Sequence, residues 1–270
     1  MLRRGCGAVR MTEVDRDGRW QLPATPDDAV ALAAVSWVQS ETGLIQPLDR
    51  MLPELRRAFP EALLLVDAVQ GAGKLEFPAA LPDLAVVSGH KFGAPVGAAL
   101  LLLSPAARQL EKALAKLRRD DYLTGRAEPL NALLLTRAAE LAAAERKLNF
   151  ERVAALERLL RAGLANLELP VGKEVVFTAA EERSSPYILH FVLPGYDSGV
   201  LVRMLSQRDI MVAAGSACRA ESKTPSAALT ALGVPRRLGH SGLRLSFSPG
   251  NTVSEAQTFL KVLPEVLRDY

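Results

Sequence analysis

Short apolar runs alternate with segments of helical spacing through the first half of the chain. Residues 31–38, 62–66, 83–87 and 97–103 are apolar, partly β-branched and bounded by turn residues, which predicts four strands. Between the first two, Leu48, Met51, Leu52 and Leu55 recur at the spacing of one helical face, which predicts a helix over 47–59. Strand, helix, strand in this order predicts a mostly parallel, covered sheet. Residues 131–167, rich in Ala, Leu, Glu and Arg, predict one or two long helices bridging two lobes. The pattern then changes. Residues 175–177, 188–193, 210–213 and 243–247 are strand candidates, and 199–207, 225–232 and 253–267 are helix candidates. This predicts a large α/β domain over 1–167 and a smaller α+β domain over 168–270.

Composition narrows the function classes. The chain has 270 residues, 49% of them hydrophobic, and a mean hydropathy of +0.11, ample for a substantial core. No uninterrupted apolar run reaches membrane-spanning length. The basic start, Met1 to Arg4, is followed by no apolar segment, which argues against secretion. A net charge of +3 with scattered arginines argues against a nucleic-acid partner. Cys6 and Cys218 form no disulfide framework or metal spacing, and a cytoplasmic protein with one interesting thiol fits best.

Candidate chemistry gathers at predicted strand ends, where parallel sheets bind ligands. Asp67 ends the run Leu63 to Val66, and Gln70 follows three residues on. Ser88-Gly89-His90-Lys91 follows the next strand, with Gly93 and Gly97 allowing tight turns. A strand-end aspartate often only caps the following turn, and a lysine in a loop is often only a surface group. Converging on one crevice, however, they offer an amine for a Schiff base and a carboxylate for a ring nitrogen. Those are the needs of pyridoxal phosphate. Gly215-Ser216-Ala217-Cys218 follows the apolar 210–212, and Arg219 and Lys223 favour its thiolate. The competing reading of a lone cysteine is a small buried hydrophobe. Arg244 alternates with apolar residues over 243–247; pointing inward it binds a carboxylate, and on an edge it faces water. Gln39 to Gly43 adds a further crevice loop.

Glu41-Thr42-Gly43, Val66-Asp67-Ala68-Val69-Gln70, Ser88-Gly89-His90-Lys91, Gly215-Ser216-Ala217-Cys218, Pro225-Ser226 and Leu243-Arg244-Leu245-Ser246 occur in one order along nearly the whole chain. In that order they resemble the class V aminotransferase superfamily, and within it the cysteine desulfurases. The resemblance implies the aspartate-aminotransferase fold (type I) and a homodimeric, pyridoxal-phosphate-dependent enzyme. It implies that Lys91 carries the cofactor, Asp67 pairs with its ring nitrogen, Gln70 meets its phenolic oxygen, and Ser88 and His90 hold its phosphate. Arg244 then binds the carboxylate of L-cysteine. Cys218 takes the sulfur as a persulfide, leaving alanine, for an acceptor or scaffold protein in iron–sulfur cluster assembly or tRNA thiolation.

The sequence departs from the family at three places. The family's N-terminal part, with a phosphate-binding turn and a histidine stacked on the ring, has no counterpart here, while His190 and His240 fall in the predicted small domain. Gln39 and Ser40 stand where the family has paired asparagines, the first of which meets cofactor and substrate. Arg126, in Leu123-Thr124-Gly125-Arg126, stands where a threonine reaches the phosphate. These departures leave two alternatives: a non-catalytic remnant or subunit needing a separate N-terminal partner, and a related aminotransferase or lyase in which Cys218 is incidental.

Overall fold

The computed structural model describes residues 8–15, 18–23, 25–108, 110, 129–169, 173–215 and 226–270. The apolar run of strand β1 (Leu32–Ser36) pairs in parallel with β2 (Leu63–Asp67), which pairs in parallel with β3 (Leu84–Ser88). β4 (Ala99–Leu103) returns antiparallel on the far edge of β3, giving the order β1-β2-β3-β4. Helix α1 (Leu48–Ala58) connects β1 to β2. Its spaced Leu48, Met51, Leu52 and Leu55 pack with Ala33, Val35, Leu64 and Val66 from one face of the sheet.

The expectation of a sheet covered on both faces holds only in part. Burial alternates along β1 and β2, so one face is packed and the other is more open. On β4 the consecutive Leu100, Leu101 and Leu102 remain 44%, 43% and 42% exposed. Consecutive strand residues point to opposite faces, so β4 shows apolar surface on both sides.

The segment rich in Ala, Leu, Glu and Arg forms a single helix, α2 (Pro129–Ala165). Its carboxyl-terminal Leu156, Leu160 and Leu164 enter a second core. There a three-stranded antiparallel sheet, β5 (Val176–Phe177), β6 (Ile188–Val192) and β7 (Gly242–Ser246), packs with α3 (Ser198–Ser206) and α5 (Val253–Asp269). A five-residue helix, α4 (Ala227–Ala231), precedes β7. α5 begins at a capping box in which Thr252 and Glu255 satisfy each other's backbone N–H groups. The strand expected over 210–213 is reduced to one bridge, Ala213 with Arg244, after a turn whose Asp209 has φ +60°. That left-handed residue breaks the extended backbone just before the apolar triplet.

Two buried polar groups tie these elements together. Asp83 Oδ2 accepts from the Leu64 backbone N–H at 2.8 Å and from the Arg56 guanidinium, joining α1, β2 and the start of β3. Removing that carboxylate leaves a buried donor without its acceptor. Asp83→Ala should therefore lower the free energy of unfolding by about 2–3 kcal/mol, read as a lower urea midpoint.

His190 lies on β6, directly across from Arg244, and is only 2% exposed. Its Nδ1 shares a 3.1 Å hydrogen bond with Thr178 Oγ1, while Nε2 is buried without a partner. Burial, and then the charge of Arg244, lower its pKa from 6.5 to about 4. The folded protein thus keeps this imidazole neutral where the unfolded chain takes up a proton. Above pH 6.5 neither state binds the proton; between 6.5 and about 4 only the unfolded chain does. Stability should fall across that window by roughly 3 kcal/mol. His190→Leu should flatten that part of the stability–pH curve, measured by urea unfolding between pH 7 and pH 4.

Candidate functional site

In a parallel sheet all strands present their carboxyl ends on one edge. The register aligns Ser36 with Asp67 and Asp67 with Val86, so the turns after β1, β2 and β3 are neighbours. Close packing makes them one surface. A Cβ on Gly71 would lie 2.3 Å from the Trp37 ring, and one on Gly73 (φ +74°) would lie 2.7 Å from Phe92 Cβ. Only glycine lets the middle turn fit between its neighbours.

Asp67 is exposed at the end of β2. Its Oδ1 accepts from the Val69 backbone N–H at 3.0 Å, so one oxygen caps the turn, as strand-end aspartates commonly do. Gln70, partly buried, accepts through Oε1 from Lys74 Nζ at 3.4 Å. After β3, Gly89–Lys91 form one 3₁₀ turn, closed by bonds from Phe92 N and Ala94 N to the Gly89 carbonyl. Leu135 of α2 packs so near Gly89 that a Cβ would come within 2.5 Å of it. Ser88 Oγ and His90 Nδ1 are 2.8 Å apart, which pins two phosphate-competent side chains together beside the half-buried Lys91. Gly93 (φ +101°) and Gly97 (φ +99°) open the following loop, and a Cβ on either would meet nothing within 4 Å.

Two groups at these turns have contacts that the sequence does not reveal. Lys74 sits 5.4 Å over the ring of Tyr187, a residue of the second core's approach to β6. Burial, and then the neighbouring Lys91 ammonium, lower the Lys74 pKa to about 8, while burial raises that of Tyr187. The four-residue spacing of Gln70 and Lys74 is the one local signal; the contact with Tyr187 has none. Glu41 is the other such group. It is 4% exposed, and its Oε2 accepts from Ser226 Oγ at 2.5 Å, a contact between residues far apart in sequence.

The turn after β1 faces this edge. Gln39 folds back so that its Oε1 accepts from Glu41 N, Thr42 N and Thr42 Oγ1 at 2.6–3.0 Å. Arg244, partly buried on β7, donates from Nη1 to the Ser40 carbonyl at 3.0 Å, which brings its guanidinium to the same turn. Cys218 and Arg126 lie outside the described residues. The described residues just before the cysteine are held: Ala213 and Arg244 exchange backbone hydrogen bonds at 3.1 and 2.8 Å.

The donor set is an amine, a carboxylate, an amide, a Ser–His pair and a guanidinium around one edge, with an open glycine loop beside the lysine. It fits a phosphorylated aromatic aldehyde and an amino-acid carboxylate. Among the described residues no group of His, Cys, Asp and Glu has metal-holding geometry, and no helix is long and apolar enough to cross a membrane.

Comparison with known proteins gives the chain's family and fold relatives. The family model for aminotransferase class-V matches residues 1–259. A cysteine desulfurase IscS from an Anaeromyxobacter species is 30% identical over 268 residues, covering 96% of this chain and 64% of that protein. A cysteine desulfurase from Rhodobacter capsulatus is 32% identical over 274 residues, covering 97% and 67%. The chain thus spans about two thirds of the length of these relatives. The solved structure of a NifS-like protein superimposes with a TM-score of 0.78 at 24% identity, over 97% of this chain and 68% of that one. A NifS-like protein from Rickettsia africae gives 0.75 at 21%, over 96% and 69%. At those identities the likeness is one of fold, the α/β architecture with a mostly parallel sheet described above. By the match over nearly its whole length, this chain belongs to the aminotransferase class-V family.

Proposed function

We propose that this chain is a pyridoxal-phosphate-dependent cysteine desulfurase that converts L-cysteine to L-alanine and receives the sulfur as a persulfide on Cys218. The observation that supports the reading is that Asp67 and the Ser88–Lys91 turn stand at the ends of neighbouring parallel strands, while Arg244 bonds to the turn after β1, the strand paired with β2 on its other side. Its agreement with the relatives' names supports the same reading.

Pyridoxal phosphate, when bound, supplies an electron sink that weakens bonds at the amino acid's α- and β-carbons. Lys91 would hold it through its amine, and Asp67 would keep the ring nitrogen protonated. Gln70 would meet the phenolic oxygen with its amide N–H, because Lys74 already engages its Oε1. Ser88, His90 and Arg126 would hold the phosphate. Gln39 would face both cofactor and substrate, and Arg244 would fix the substrate carboxylate. The overall transfer balances as one thiol hydrogen moving to the product: the β-carbon–sulfur bond of cysteine breaks, a sulfur–sulfur bond forms at Cys218, and the carbon gains a proton to become alanine. A sulfur-acceptor protein would then take the terminal sulfur. The family resemblance supports a homodimer.

One observation favours a second reading, a subunit that acts only with a separate polypeptide. It is the apolar β4, exposed on both faces. Apolar surface of this kind is ordinarily covered by another chain or segment.

Absorbance of the chain with added pyridoxal phosphate tests the first reading. The wild type should show a near-ultraviolet or visible band that changes with L-cysteine, and Lys91→Ala should lose it. Cys218→Ala should keep the band and form no persulfide. A band identical in wild type and Lys91→Ala overturns the assignment of Lys91. A band that appears only after adding the N-terminal third of a relative supports the second reading.

A further inference from the structure

We infer that Lys74 is the positioning residue for Gln70: its ammonium holds Oε1 and so presents the amide N–H groups to the phenolic oxygen of the cofactor. This rests on the pyridoxal-phosphate reading of the site. Gln70 and Lys74 lie on consecutive tight turns, in which Ala72 N donates to the Ala68 carbonyl at 2.8 Å and Leu75 N to the Gly71 carbonyl at 2.9 Å. Bonds of that span bring residues four apart to one side, and Lys74 Nζ donates to Gln70 Oε1 at 3.4 Å. The two ends of a glutamine amide are alike in shape, but one accepts and the other donates. An ammonium has three donors and no acceptor, so only the oxygen of Gln70 suits it. The Lys74 pKa, lowered to about 8, still leaves the ammonium in place at neutral pH. The amide nitrogen is thereby left on the side away from Lys74.

Lys74 is itself held from the second core. Its Nζ stands 5.4 Å from the centroid of the Tyr187 ring, within the range of a cation–π contact. Tyr187 is buried, its N–H donates to Ser185 Oγ at 3.4 Å, and its carbonyl accepts from Phe247 N at 2.9 Å. The ring is therefore fixed at the entrance to β6. Among the described residues the Lys74 ammonium forms no ion pair with a carboxylate; an amide oxygen and a ring face meet it instead. Burying an ammonium for packing alone would be costly. Two neutral partners orient the group without cancelling its charge. That charge stands behind Gln70 and polarises the amide, which makes its N–H groups stronger donors. The pair therefore suits an ionised ring oxygen better than a hydroxyl, since donors to an ionised acceptor form the stronger bonds.

Nuclear magnetic resonance and absorbance at pH 7 test this on the full chain, using Lys74→Met, Gln70→Met and the double variant. Methionine keeps the length of the lysine stem and removes the buried charge. In the chain alone, the Gln70 side-chain amide signal is identified by its loss in Gln70→Met. In Lys74→Met that signal should shift upfield in nitrogen, because the ammonium no longer polarises the amide. With added pyridoxal phosphate, the dissociation constant read from the absorbance band should rise about fivefold in each single variant, the scale of one hydrogen bond. The double variant should bind no more weakly than Gln70→Met, since losses acting through one contact do not add. A merely structural role, or a direct action of the Lys74 charge on the cofactor, would make the two losses multiply. Multiplied losses, or an unchanged Gln70 signal in Lys74→Met, overturn the inference. A wild type that shows no band overturns the pyridoxal-phosphate reading instead, and the amide signal alone then decides whether Lys74 orients Gln70.

Discussion

The short turn from Gln39 to Ile45 is the constraint on which the rest of the molecule depends. β1 ends just before it, and the second core begins just beyond it. Gly43 has φ +76°, and a Cβ there would fall 2.5 Å from the Ile188 carbonyl of β6. Its own carbonyl accepts from Ser185 N at 2.8 Å, and Ile45 N donates to the Arg183 carbonyl at 2.8 Å. The end of the first sheet is thus stitched directly to the segment that leads into β6, the middle strand of the second. Ile188 packs in the first core while its β6 neighbours Leu189 and Phe191 pack in the second. Any residue other than glycine at position 43 would push the two sheets apart.

From that seam the positions of the chemical groups follow. The parallel register of β1, β2 and β3 delivers three turns to one edge, and the seam carries the first of them against β7 and the approach to β6. Arg244 and Tyr187 reach the site from the second core, one through Ser40 and the other beneath Lys74. The lowered pKa of Lys74 has the same origin: a stem buried between two cores, beside a second ammonium group. The site is built where two packed bodies meet, a common place for ligand sites.

How much of this could be read in the sequence depends on the range of the interaction. The spaced leucines of α1, the run Leu63 to Val66 ending in Asp67, and the Ser88-Gly89-His90-Lys91 turn are local patterns, and each forms the element its pattern predicts. Residues 210–213 carry the same apolar signal but make only the Ala213 bridge, because the left-handed Asp209 redirects the chain just ahead of them. β4 reads as an interior strand, yet burial depends on what packs over it, and composition alone does not record that. Lys74 and the burial of Glu41 against Ser226 were missed for the same reason: the partners, Tyr187 and Ser226, are over a hundred residues away. Gln39 reads as a residue of the crevice loop, and the sequence does not record that its oxygen accepts from three donors of its own turn.

The two sides of the site are preorganised to different degrees, and the difference has a physical cause. Arg244 is partly buried and donates to the Ser40 carbonyl, and the buried Glu41 accepts from the Ser226 hydroxyl. Asp67 and His90 stand exposed at the sheet edge, where a carboxylate or imidazole is strongly solvated. An exposed Asp67 pairs weakly with a ring cation in water, and the same pair gains strength as water is excluded. A bound aromatic ring would itself supply part of that exclusion, by covering Asp67 and the open loop at Gly93 and Gly97. The apolar faces of β4 call for cover for the separate reason that leucines there are out of place in water. Whatever covers them adds mass to the same sheet whose edge carries Lys91. The electrostatics at Asp67 and the packing of the sheet therefore depend on cover in the same way, while the Arg244 side, held by the seam, does not.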